Sequence, residues 1–226
     1  VVARSKRYIE SKKRFDGNKE YSIKEAVDIL KGFPPAKFDQ SVELSFKLGI
    51  DPKRSDQMLR DAFSLPKGVG KSRRVVVFTT GERAEKALKA GAEEAGSDEL
   101  IKKVEGGWMD FDVAIATPDM MRQIGKLGRV LGPQGKMPSP KSGTVTEDVE
   151  KAVGEFKAGK IEYRSDAGGN VHALVGRLSF SAEDLQENIH AFVSHIVASR
   201  PPSAKGTFVE KICLSATMSP GIKLTI

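Results

Sequence analysis

The polar and apolar positions change rhythm twice along the chain. Near the start, Ala26, Val27, Ile29 and Leu30 recur at helical spacing behind Ser22 and Glu25. A serine cap with glutamate at the third helical position predicts a short helix, which Gly32 and Pro34-Pro35 stop. From Ser41 to Lys47 the period drops to two. Ser41, Glu43, Ser45 and Lys47 alternate with Val42, Leu44, Phe46 and Leu48, which predicts a strand with one wet face. Past Gly68 and Gly70 the alternation disappears: Val75 to Phe78 and Phe111 to Ala116 are unbroken apolar runs, as expected of strands buried on both faces. Helical stretches are predicted between and after them at 82–90, 97–104 with Ser97 as cap, 119–127, and 149–156 closing at Gly159. Half-exposed patterns then return. Residues 161–164 and 171–178 read as an antiparallel hairpin around an Asp166–Asn170 turn. Ser181, with Asp184 three residues on, caps a helix whose Leu185, Ile189, Phe192, Val193 and Ile196 form one stripe, and 208–216 is a last strand.

The simplest layout is an α+β outer domain formed by both chain ends, residues 1–67 and 160–226, interrupted by an inserted α/β domain at 68–159 with an at least partly parallel sheet. The two crossings, at Gly68 and Gly70 and again at Gly159, are candidate hinges.

Composition adds a partner. Lys and Arg number 37 against 30 Asp and Glu, a net charge of +7 that favours an anionic ligand. Arg4, Lys6, Arg7, Lys12, Lys13 and Arg14 face a single acid, Glu10, so the opening segment either lies along a phosphate backbone or is a solvated terminus. From Met120 to Thr146, Arg122, Lys126, Arg129, Lys136 and Lys141 stand among glycines and prolines with no acid, which suits a phosphate-facing surface better than a core, a plain solvated loop being the other reading. An apolar fraction of 39% and a charged fraction of 30% exclude collagen-like, mucin-like and wholly disordered chains. A single cysteine, Cys213, forms no internal disulfide, and no run is long enough to span a bilayer or to serve as a secretory signal, so cytoplasm or an organelle matrix is expected, with no membrane partner.

Enzyme chemistry does not assemble. No G-x-G-x-x-G follows Val75–Phe78, and Gly68-Val69-Gly70-Lys71-Ser72, although similar to the tail of a phosphate loop, stands before its strand. His190 and His195 lack the spacing and the glutamate of H-E-x-x-H, His172 is alone, Cys213 has no nucleophile elbow, and Asp98, Asp110, Asp112 and Asp119 follow no metal-loop spacing. No catalytic residue, cofactor or metal is therefore assigned. An α/β enzyme acting on a phosphorylated substrate is the alternative reading, and a protein-interaction module using the Phe192 helix is a second. Phe38, beside Lys37, either stacks on a ligand or closes the edge of a core. Glu43, on the wet face, is either a solvating charge or an acceptor for base amino groups.

Six blocks, Phe38–Glu43, Lys47–Gln57, Gly107–Asp112, Ala116–Asp119, Lys126–Pro133 and Gly159–Arg164, together resemble the family of the first protein of the large ribosomal subunit, in its bacterial form, and the likeness runs from Lys6 to the C-terminus. The resemblance implies a non-enzymatic, two-domain protein with a Rossmann-like insertion. It also implies binding to the mobile stalk of large-subunit ribosomal RNA, near the exit site for deacylated transfer RNA, repression of its own messenger RNA, and residence on the cytoplasmic ribosome. A monomer when free is expected. Phe38 and Glu43 fall on the family's aromatic and acidic contact positions and Thr217-Met218 on its Thr-Met contact motif, while the loop from Gly132 to Lys141 is implied to add a weaker contact. The candidate RNA-binding set is Arg4, Arg7, Lys37, Phe38, Glu43, Lys141, Arg164, Thr217, Met218 and Ser219. Ser219 stands where the family has Gly, which is expected to shift that contact or add a hydroxyl bond. Gln134, Lys136 and Ser139 depart from the usual loop, and Lys67 replaces a common His.

Overall fold

The computed structural model describes residues 4–71 and 73–225. Val1, Val2 and Ala3, where the basic segment begins, Ser72, which ends the phosphate-loop-like run, and Ile226 lie outside the described residues. The chain divides into two compact units, one made of the segments up to Gly70 and from Ile161 onward, the other of Lys71–Lys160.

The first segment carries α1 (Lys6–Lys13), β1 (Glu20–Tyr21), α2 (Ile23–Lys31), β2 (Ser41–Leu48) and β3 (Arg60–Ser64). The basic opening segment is helical, because the Ser5 side chain accepts the Tyr8 N–H and caps α1. In α2 the predicted box is present: Ser22 accepts the Glu25 N–H and Glu25 accepts the Ser22 N–H, leaving Ala26, Val27 and Leu30 to be buried. β2 alternates as its period demands, with Val42, Leu44, Phe46 and Leu48 buried.

The inserted segment contains β4 (Val75–Phe78), α3 (Glu82–Lys89), β5 (Glu94–Gly96), α4 (Asp98–Glu105), β6 (Val113–Ala116), α5 (Met121–Ile124), α6 (Gly128–Leu131) and α7 (Val149–Ala158). Its three strands form a parallel sheet in the order β5-β4-β6. Every residue of β4 and β6 is buried because helices cover both faces. Val76, Phe78, Ala114 and Ala116 pack with Leu100, Ile101 and Val104 of α4, while Val75, Val77, Val113 and Ile115 pack with Val149, Val153 and Phe156 of α7. α7 closes at Gly159, whose φ of +118° suits glycine. Two expectations are corrected. Ser97 occupies the cap position of α4 without a side-chain cap bond. The helix expected at 119–127 is a run of single turns, α5 and α6 alternating with 3-10 turns at Pro118–Met120 and Gly125–Leu127, because Gly125 and Gly128 weaken a continuous helix. The turns continue to Leu131, burying Ile124, Leu127 and Leu131, so the first half of the basic stretch is helical rather than loop.

The returning segment supplies β7 (Lys160–Arg164), β8 (Asn170–Arg177), α8 (Ala182–Ala198), β9 (Val209–Ala216) and β10 (Ile222–Leu224). A five-stranded sheet runs β1-β10-β9-β2-β8, antiparallel except for β1 with β10. The predicted hairpin is not formed. β7 pairs with β3 in a separate two-stranded sheet, β8 pairs with β2, and one bridge, Ser165 to Val171, remains between them. Pairing with β2 places Val171, Ala173 and Val175 in the same core as Leu44 and Phe46, which the local hairpin would not require. The intervening turn is organised by Asp166, whose carboxylate accepts the Gly168 and Asn170 N–H groups at 2.8 and 2.7 Å. Bonds from the Asn170 side chain, then its backbone, hold that carboxyl below its ordinary value.

One face of the five-stranded sheet is covered by α2 and α8, and the Ser181 cap of α8 is made as predicted, its hydroxyl accepting the Asp184 N–H at 3.0 Å. At the centre, Phe192 stands 5.7 Å from Phe46, 5.8 Å from Phe63 and 5.4 Å from Tyr163, ring centre to ring centre. Asn188 lies fully buried on the same helix. Its amide donates to Gly68 O at 3.0 Å and Val175 O at 2.9 Å and accepts the Lys67 N–H at 3.0 Å, tying the chain to α8 just before it leaves the unit.

His195 stacks on Phe63 at 4.4 Å, shares a 2.8 Å hydrogen bond with the Tyr163 hydroxyl and lies 3.7 Å from Asp61. Burial outweighs the Asp61 charge and lowers its pKa below the ordinary 6.5. The folded state thus holds fewer protons at this site than the unfolded one. Its stabilising contribution is complete above the unfolded pKa and declines as pH falls through that value toward the lower folded one. Urea midpoints measured from pH 7.5 to pH 5 should fall, and His195→Phe should flatten that fall; an unaltered pH profile in the variant would contradict the assignment.

Candidate nucleic-acid interface

The sheet face opposite α2 and α8 is polar. Along β2 it presents Glu43 and Lys47, both exposed, with half-buried Ser45 between them, as the period of two requires. Ser45 is in register with His172 of β8, and its hydroxyl lies 3.0 Å from His172 Nδ1. The Lys47 ammonium donates to Gly168 O at 2.7 Å.

At the start of β2 the face ends in a rim built by two loops. Met218 and Thr217 are the corner residues of a turn closed by Ser219 N–H donating to Ala216 O at 2.9 Å. The Ser219 hydroxyl accepts the Ala216 N–H at 2.8 Å, so it is spent within the turn. Thr217 extends the β2–β9 pairing: its N–H donates to Ser41 O at 3.1 Å and its hydroxyl accepts the Ser41 N–H at 3.0 Å. Met218 N–H donates to the buried Gln40 side chain at 3.2 Å, and Arg7 reaches Met218 O at 3.4 Å, bringing α1 to the same rim. The loop before β2 is pinned on its other side, where Asp39 accepts from Ser179 N–H and hydroxyl at 3.1 and 2.9 Å and Arg177 donates to Asp39 O at 3.0 Å. With the backbone held from both sides, Phe38 is 51% exposed and Met218 55%. Phe38 therefore does not close a core edge.

The structure brings Arg4, Arg7, Phe38, Thr217, Met218 and Ser219 to this rim, with Lys37 adjacent in sequence and Glu43 farther along β2. Arg164 is exposed at the end of β7, on the two-stranded sheet, and Lys141 is exposed in the inserted unit. In that unit Arg122, Lys126 and Arg129 are also exposed, whereas Lys136 is withdrawn: its ammonium donates to Met109 O at 3.0 Å and lies 5.0 Å from the Phe111 ring centre. Gln40 and His172 carry no local sequence signal for their parts, since each depends on a partner far along the chain. Among the described residues no group of three or more His, Cys, Asp or Glu is placed to hold a metal ion.

Comparison with known proteins decides the family. The Ribosomal protein L1p/L10e family matches residues 30–220. The chain belongs to that family. It is 54% identical over 222 residues to the large ribosomal subunit protein uL1 of Protochlamydia amoebophila, covering 98% of this chain and 94% of that one. It is 55% identical over 221 residues to the uL1 of Kosmotoga olearia, covering 98% and 96%. The matched span of this L1p/L10e-family chain includes Phe38, Glu43 and Thr217-Met218, and the family is ribosomal and non-catalytic, which sets the enzyme alternative aside. No helix among its described residues is long and apolar enough to cross a membrane.

Thr217→Val tests the rim turn directly. Losing the bond that Ser41 N–H donates to the hydroxyl should lower folding stability by about 0.5–1.5 kcal/mol, read from the urea midpoint. A variant as stable as the parent would mean that the turn does not depend on that bond.

Proposed function

We propose that this chain is a constituent of the large ribosomal subunit that binds the mobile stalk of its ribosomal RNA near the transfer-RNA exit site, assists release of deacylated transfer RNA, and represses translation of its own messenger through a similar RNA fold. The observation that carries the reading is the rim at the start of β2, where two half-exposed apolar side chains stand on loops tied together by the Gln40–Met218 bond, Phe38 in the loop before β2 and Met218 in the turn that Arg7 reaches, on the strand end that leads to Glu43. Aromatic and thioether surface for bases, flanked by guanidinium for phosphate, is what recognition of unpaired RNA requires. Thr217 and Ser219, whose hydroxyls are engaged within the protein, act by shaping the backbone. Glu43 is free in geometry to accept from base amino groups. The relatives' name, large ribosomal subunit protein, supports the same reading.

The unit formed by both chain ends carries the main contact in this proposal. The inserted unit, in the Rossmann-like family arrangement, adds a weaker one through Lys141, and Gly68, Gly70 and Gly159 serve as hinge positions. All three glycines have positive φ, at +65°, +75° and +118°, a conformation other residues adopt with difficulty.

The deciding experiment compares affinity for a folded stalk RNA and a scrambled RNA of equal length and charge at several salt concentrations. Selective binding that persists at physiological salt is expected; equal, weak binding that vanishes with salt would overturn the proposal. In the same assay Lys141→Ala should weaken binding modestly and reduce the salt slope by about 0.7–0.9. A strong loss with an unchanged slope would remove Lys141 from the phosphate contacts.

A further inference from the structure

A cleft of about 370 Å³ lies beside the rim, lined by Arg4, Arg7 and Tyr8 from the start of the chain and by Thr217, Met218 and Ser219 from the turn near its end. Its chemistry is uneven in a useful way. Two guanidinium groups line it with no carboxylate among the lining residues, so it favours an anion. The Arg4 guanidinium lies over the Tyr8 ring, 5.1 Å from its centre, a cation–π contact that makes the pair a cationic shelf in the cleft. Met218 contributes an exposed, polarisable thioether. Arg7 spends one N–H on Met218 O and keeps further donors for another acceptor. The Thr217 hydroxyl is engaged by the Ser41 N–H of β2 and the Ser219 hydroxyl by the turn itself, so recognition of charge here falls to the arginines.

We propose that this cleft seats one unstacked nucleotide of the bound RNA, its base on the Arg4–Tyr8 shelf beside Met218 and its phosphate at Arg7. The inference rests on the RNA-binding reading above and adds to it a defined nucleotide subsite, with Tyr8 as the residue that positions Arg4. A cleft of this size accepts a base and its phosphate but not a duplex. Unpaired, splayed-out bases are the elements of folded RNA that proteins take up on stacked guanidinium and aromatic groups.

The test uses the full chain and a folded stalk RNA carrying 2-aminopurine at one unpaired purine at a time. One labelled position should lose fluorescence on binding the parent protein, as stacking requires. Tyr8→Leu should abolish that quench and weaken affinity about tenfold with the salt slope unchanged, because a neutral ring is lost; stacked bases typically contribute on that order. Tyr8→Phe should restore both, and Arg4→Ala should lower affinity and slope together. Circular dichroism of each variant verifies that α1 remains folded. If the parent binds stalk RNA selectively while Tyr8→Leu and Arg4→Ala bind like the parent and every label stays bright, the subsite is wrong and the RNA reading stands. If the parent itself shows no preference for stalk RNA over the scrambled control, both fall.

Discussion

Phe192→Ala should cost about 3–5 kcal/mol of folding stability, the largest effect expected of any single substitution considered. The ring is fully buried in α8 and touches Phe46 from β2, Phe63 from β3 and Tyr163 from β7, so its loss opens a cavity where the five-stranded sheet meets the β3–β7 pair. Neighbouring rings relax only partly into such a space, which adds a cavity cost to the lost transfer energy. Urea denaturation followed by circular dichroism should show the midpoint displaced with little change in slope. Phe192→Leu, which keeps most of the volume, should recover much of the loss. Equal midpoints for Phe192→Ala and the parent would mean that the three strands are held together elsewhere.

Phe38→Ala should do the reverse, leaving the urea midpoint close to the parent's while reducing affinity for stalk RNA about 5- to 150-fold, the range for losing one base–aromatic stack. The reason is its position. Phe38 is 51% exposed on a backbone pinned by Arg177 and Ser179 on one side and, through Gln40, by Met218 on the other, so the fold does not need the ring. Phe38→Tyr preserves a stacking face and should bind almost as tightly as the parent. Parent-like RNA affinity in Phe38→Ala, at parent-like stability, would remove the aromatic from the interface and leave the rim to Met218 and the arginines.

These two phenylalanines show how differently core and site were readable. Phe192 follows from helical spacing, because Leu185, Ile189, Phe192 and Ile196 must share a face and an apolar face must be covered. The same spacing is silent about Asn188, which lies fully buried among them because Gly68, Val175 and Lys67 present backbone groups that its amide satisfies. For Phe38 the local pattern left stacking and core closure open, and only its exposure decided between them. The motif resemblance pointed to Thr217, Met218 and Ser219, but not to both hydroxyls, of Thr217 and Ser219, being engaged by the chain's own backbone.

What local chemistry dictated was dictated over short distances. The Ser22–Glu25 box, the Ser181 cap, the alternation of β2 and the glycine stop at Gly159 each depend on atoms within a few residues of one another, and all are present. Pairing was decided by the tertiary structure. Residues 160–164 and 170–177 are neighbours in sequence, yet β7 joins β3 and β8 joins β2, because a strand's backbone bonds can be satisfied by any partner and the choice falls to whichever pairing buries its apolar face. The same holds for the rim: Arg7, Gln40 and Met218 meet only when both ends of the chain close into one sheet, and no pattern within either end encodes that meeting.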